Sequence, residues 1–76
     1  MSRAEVYHSH PEILSGVPVF TGTRVPVQSL IDHLKAGDPL EEFLIGFPMV
    51  HRAQAEAFLD FALDAALEDA PHDVTA

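Results

Sequence analysis

Val27 divides the chain into two patterns that cannot belong to the same kind of structure. Ahead of it, "ILSGVPVFTGTRVPV" places β-branched apolar residues between Gly16 and Gly22, with prolines at 18 and 26. Proline has no N–H for a strand ladder, so any strands here are short and lie at an edge. Gly22 supplies the positive φ that a tight turn over Thr21–Thr23 requires. The stretch 13–27 therefore predicts a short N-terminal β-hairpin or strand element, with Val17 and Val19 on one arm and Val25 and Val27 on the other. Further upstream, "EVYHSH" is also β-like and Pro11 closes it, so residues 1–10 read as an N-terminal extension or strand.

From Val27 onward the apolar period is helical. Val27, Leu30, Ile31 and Leu34 fall at i, i+3, i+4 and i+7, and Gly37 is placed to end that helix. "DPLE" then offers Asp38 as N-cap, Pro39 at the first helical position and Glu41 at the third. The short second helix turns Leu40, Phe43 and Leu44 inward and stops at Gly46 and Pro48. A third helix is expected from His51 or Arg52 to about Glu68, with Ala55, Phe58, Leu59, Ala62, Leu63 and Ala66 as its buried face. Phe61 and Ala65 widen that face to about 200°, against the ~100° one core needs. The extra width serves either a wrap-around core or a dimer seam. The fold class is thus mainly α: a three-helix, helix-turn-helix-like core over 27–68, preceded by the β element. The acidic "EDAPHDVTA" closes the chain as a frayed tail.

Seventy-six residues make one small domain, so self-association is a ready source of extra burial. Val19, Phe20, Phe61 and Leu67 are the candidate homodimer interface. There is no cysteine, no long apolar run and no apolar leader, which points to a soluble cytoplasmic protein. Four cations stand against twelve carboxylates, a formal charge of −8. Such a field repels nucleic acid, whose binders draw most of their affinity from phosphate neutralisation. Any DNA contact must be local, and Thr23, Arg24, Lys35 and Arg52 are its candidates.

The segment "HPEILSGVPVFTGTRVPVQSLIDHLKAGDPLEEFLIGFPMV" resembles the bacterial family catalogued as domain of unknown function 433. That family's pattern is close to D-P-x-I-x-x-G-x-P-x-[IV]-x-G-T-R-[IV]-x-V, then a helix, G-x-[ST]-x-E-E-[IL] and a proline-containing turn. The resemblance covers about Pro11 to Ala66 and carries over Gly16, Pro18, Gly22, Thr23, Arg24, Gly37, Glu41 and Glu42. It implies a helix-turn-helix-like fold with an N-terminal β element. Because the family is similar to VapB-type antitoxins beside PIN-like nucleases, it also implies a toxin-neutralising partner that regulates its own operon. The departures are His10 for Asp, Pro39 for Ser, and His51 where Ser or Thr would cap the last helix. The last removes a hydroxyl that could have met a phosphate.

Glu56, Asp60, Asp64 and Glu68 stack at i, i+4 spacing in one row along the third helix. They form either a solvated face or a docking strip for a basic partner. Like charges at this spacing weaken a helix by a few tenths of a kcal/mol each, roughly. His8 and His10 share a strand face, but no motif spacing joins them to further ligands, so no metal and no cofactor is expected. Nucleophile elbows, phosphate loops and zinc-helix motifs are absent, and the chain does not read as an enzyme. Arg24 is either a brace, capping carbonyls or pairing with Glu12 or Asp32, or a contact to phosphate or to a partner. The expected function is the antitoxin of a toxin–antitoxin pair. Its rivals are a stand-alone DNA-binding regulator and a structural or adaptor dimer.

Overall fold

A computed structural model describes residues 1–69. Its elements in chain order are α1 (Arg3–Val6), β1 (Tyr7–His8), β2 (Val19–Phe20), α2 (Val27–Lys35), α3 (Leu40–Gly46) and α4 (Arg52–Asp69). It is a mainly helical fold with a small antiparallel sheet near the N-terminus. The frayed tail expected over 69–76 lies, after Asp69, outside the described residues.

The β element differs from the expected arrangement. β2 pairs with the N-terminal β1, Tyr7 opposite Phe20 and His8 opposite Val19. On its other side β2 meets only a bridge to Pro26, flanked by Phe20 N–H to Val25 O and Val27 N–H to Pro18 O. The prolines are the reason: the second arm has too few donors for a ladder. The turn itself is as expected. Thr23 N–H returns to Phe20 O at 3.0 Å and Gly22 sits at φ +83°, a type II turn with glycine where one is needed. The stretch joining β1 to β2 contains Leu14, Ser15 and Gly16, all at positive φ. This left-handed turn has no cue in its leucine or serine.

α2 ends in a Schellman motif: Gly37 N–H donates to Leu34 O and Asp38 N–H to His33 O, with Gly37 at φ +90°. That ending corrects the expected cap of α3. Asp38 is committed to closing α2, and Pro39 takes the N-cap position, its carbonyl accepting from Glu42 N–H at 3.0 Å.

The core is Phe20, Val25, Leu30, Phe43, Val50 and Ala55, with Val27, Leu34, Leu40, Leu44, Phe47, Phe58 and Leu59 packed around it. Aromatic rings form a chain through it. Tyr7 meets Phe58 edge-on at 5.5 Å, Phe58 meets Phe20 at 5.7 Å, Phe20 meets Phe43 at 6.0 Å, and Phe43 meets Phe47 at 5.0 Å. Two expectations fall here. Val19 and Phe20 are completely enclosed by the chain's own core and have no surface to offer a dimer. And the buried face of α4 stops short: Ala62, Leu63 and Ala66 are exposed, because α4 runs on past the elements that cover its first half.

Candidate functional site

α4 gathers most of the functional candidates, and Gln54 fixes where it starts. Gln54 is a buried polar residue at the third position of the helix. Its Nε2 donates to Val6 O at 2.9 Å and to Thr21 O at 3.0 Å, and its Oε1 accepts from His51 N–H at 3.4 Å. One amide thus ties α1, the β2 turn and the N-cap of α4 together, and the carbonyl partners settle which way it faces. Thr21 adds to the same seam, its N–H donating to Val6 O and its hydroxyl to Ala4 O at 2.8 Å. Gln54 is absent from the residues singled out by sequence; the available signal is a Gln three residues after the N-cap, the second half of a capping box.

The four DNA candidates are placed very differently. Thr23 is occupied: its hydroxyl donates to Phe20 O at 2.8 Å and accepts from Val25 N–H at 3.0 Å, so it stabilises its own turn. Arg24 is exposed on the far side of that turn and forms no hydrogen bond or ion pair among the described residues. The brace to Glu12 or Asp32 is therefore not made; the Asp32 carboxylate accepts from Gln28 instead. Lys35 is exposed at the end of α2, also without an ion pair among the described residues.

Arg52, at the head of α4, is held by carboxylates. Its guanidinium meets Glu41 of α3 at 2.6 Å and Glu56, one turn on, at 3.7 Å. The hydrogen bond from Arg52 holds the Glu41 carboxyl below its ordinary value of 4.5, and the same bond raises the Arg52 guanidinium. A carboxylate with a depressed pKa stabilises the fold above its unfolded pKa, and loses that contribution as the pH falls through the folded one. A Glu41→Gln variant is thus expected to show a shallower loss of melting temperature on acidification from about pH 5 downward. The check is a pair of thermal melts across that range. As both side chains are half-exposed, the effect at neutral pH should be small.

Behind Arg52, the row Glu56, Asp60, Asp64 and Glu68 is exposed along its whole length. Leu63 and Leu67, 57% and 63% exposed, lie on the same outer side of the helix. Phe61 is half-buried against Tyr7 at 6.3 Å. So the acidic row stays in one piece, and of the four dimer candidates only Phe61 and Leu67 reach the surface. His10 and His33 are engaged locally, apart from this site. His10 Nδ1 accepts from Glu12 N–H at 3.1 Å, and His33 Nδ1 lies 2.9 Å from Ser29 O, its ring against Phe43 and Phe47. No helix among the described residues is long and apolar enough to cross a membrane.

The family model described as Protein of unknown function (DUF433) matches residues 8–62, more than half of the chain. An uncharacterized protein, y4eO, of Sinorhizobium fredii (strain NBRC 101917 / NGR234) is 43% identical over 44 residues, 58% of this chain. The match takes in 20% of that protein's length. No solved structure matches.

Proposed function

The chain belongs to the DUF433 family, and from that membership and its surface we propose that it acts by binding another protein, as the antitoxin that neutralises a basic, nuclease-type toxin. The observation that carries this reading is the fate of Arg52. In a helix-turn-helix, the first turn of the last helix approaches DNA. Here the one cation of that helix is engaged by Glu41 and Glu56, and the rest of the helix presents an acidic row flanked by exposed leucines. Such a helix repels phosphate and attracts a basic, partly apolar protein surface. Arg24 and Lys35, exposed and unpaired among the described residues, favour a secondary contact to operator DNA made within the complex.

Co-expression with a nuclease-like protein encoded beside it tests the reading. A stoichiometric complex should survive size-exclusion chromatography, and its affinity should fall as salt rises. Leu63→Gln with Leu67→Gln, which adds no charge, should weaken the complex about tenfold with little change in the melting temperature, since both side chains are exposed. Tight retention of promoter DNA by the chain alone at physiological ionic strength would instead establish a stand-alone regulator.

A further inference from the structure

Between α1 and the second half of α4 lies a cleft of about 350 Å³, lined by Arg3, Tyr7, Phe61, Asp64, Ala65 and Glu68. Its geometry is held from both sides. α1 is fixed by the reciprocal Ser2–Glu5 capping box and by the hydrogen bonds that Ala4 and Val6 carbonyls accept from Thr21 and Gln54. Tyr7 is set edge-on to both Phe58 and Phe61, so the cleft has an aromatic wall. Asp64 and Glu68, one helical turn apart, supply two carboxylates to the same cleft, and among the described residues Arg3 makes no ion pair with either.

A ring-lined cleft in which two carboxylates outnumber the one guanidinium of Arg3, unpaired with either among the described residues, suits a long side chain with an apolar stem and a cationic head. We propose that the cleft receives an arginine of the basic partner, its stem against Tyr7 and Phe61 and its guanidinium between Asp64 and Glu68. Arginine fits better than lysine because its planar fork can serve two carboxylates and also lie on a ring. The inference rests on the reading of α4 as a docking face and adds where the partner is anchored.

Tyr7 makes the test direct. The chain has one tyrosine and no tryptophan, so tyrosine fluorescence reports on this cleft alone. The probes are an amphipathic peptide of leucine and arginine, and the same peptide with every arginine replaced by glutamine. The arginine peptide should change the Tyr7 signal saturably, and the glutamine peptide should not. Asp64→Asn with Glu68→Gln should weaken the arginine peptide about tenfold. Asp38→Asn with Glu42→Gln removes the same charge from exposed positions outside the cleft and should weaken it about twofold at most. Circular dichroism confirms that both double variants remain folded. Equal loss in the two double variants, or no saturable change in Tyr7, overturns the anchor. If the cleft variant still binds the toxin with unchanged affinity, the anchor fails while protein docking stands. If no toxin complex forms even with the unaltered chain, both fail.

Discussion

Replacing Phe20 with alanine should bring the chain to within about 1 kcal/mol of unfolding at room temperature, so that it melts at the first addition of urea. Phe20 is fully enclosed and is the junction of the aromatic chain, touching Phe58 on one side and Phe43 on the other. Removing a buried phenyl ring costs about 4 kcal/mol, transfer and cavity together. A domain of this size holds a net stability of about 5 kcal/mol, so almost nothing is left. Phe20→Leu, costing about 1.5 kcal/mol by the same reasoning, should stay folded with a lower urea midpoint. Far-UV circular dichroism and urea unfolding read both. A Phe20→Ala chain that kept a near-unaltered midpoint and lost only self-association would mean the ring faces a second subunit.

The second large effect is expected at Gln54. In Gln54→Leu, the Val6 and Thr21 carbonyls lose a donor and His51 N–H loses its acceptor, in a place water reaches poorly. Each buried polar group left without a partner costs about 1–3 kcal/mol, and Val6 O and Thr21 O are partly compensated or peripheral, so the sum is about 3 kcal/mol. Gln54→Glu distinguishes hydrogen bonding from packing. A carboxylate has no proton to give either carbonyl, whereas the acid form has one. That variant should be strongly destabilised at neutral pH and regain part of its urea midpoint in mild acid. The same midpoint at both pH values would show that the amide matters only for its shape.

These two residues mark the limits of what is legible in the sequence. The switch at Val27, the stop at Gly37, the inward faces of α2 and α3 and the start of α4 are all local. Each follows from spacing or from a backbone preference within a few residues, and each is found where expected. Phe20 belongs to a β-branched, proline-flanked strand, which reads as an edge and hence as an interface. Its burial comes from β1, α3 and α4, which approach it from elsewhere in the chain. Gln54 reads as a solvent-facing polar residue because its carbonyl partners lie 48 and 33 residues away. Asp38 has two competing uses, ending one helix or starting the next, and the Schellman geometry of Gly37 decides between them. The helical period of α4 gives an apolar stripe through Leu63, but periodicity does not say where the covering elements end.

The candidate site divides in the same way. The acidic row is legible, being a matter of i, i+4 spacing on one helix. The neutralisation of Arg52 is half legible. Glu56 is its helical neighbour, whereas Glu41 reaches it across the turn between α3 and α4, eleven residues earlier in the chain. The cleft beside Tyr7 is not legible, since it exists only because α1 lies against α4.

That packing of the first helix on the last also sets a schedule for a chain made from its N-terminal side. α1 and β1 leave the ribosome well before α4, yet Val6 and Tyr7 have their partners in Gln54, Phe58 and Phe61. A nascent chain that stops short of α4 offers them Thr21 and β2 to pair with, but not the amide and rings that cover them. Completion of the fold therefore waits on the synthesis of α4, and until then the tyrosine and valine of every copy lack their cover.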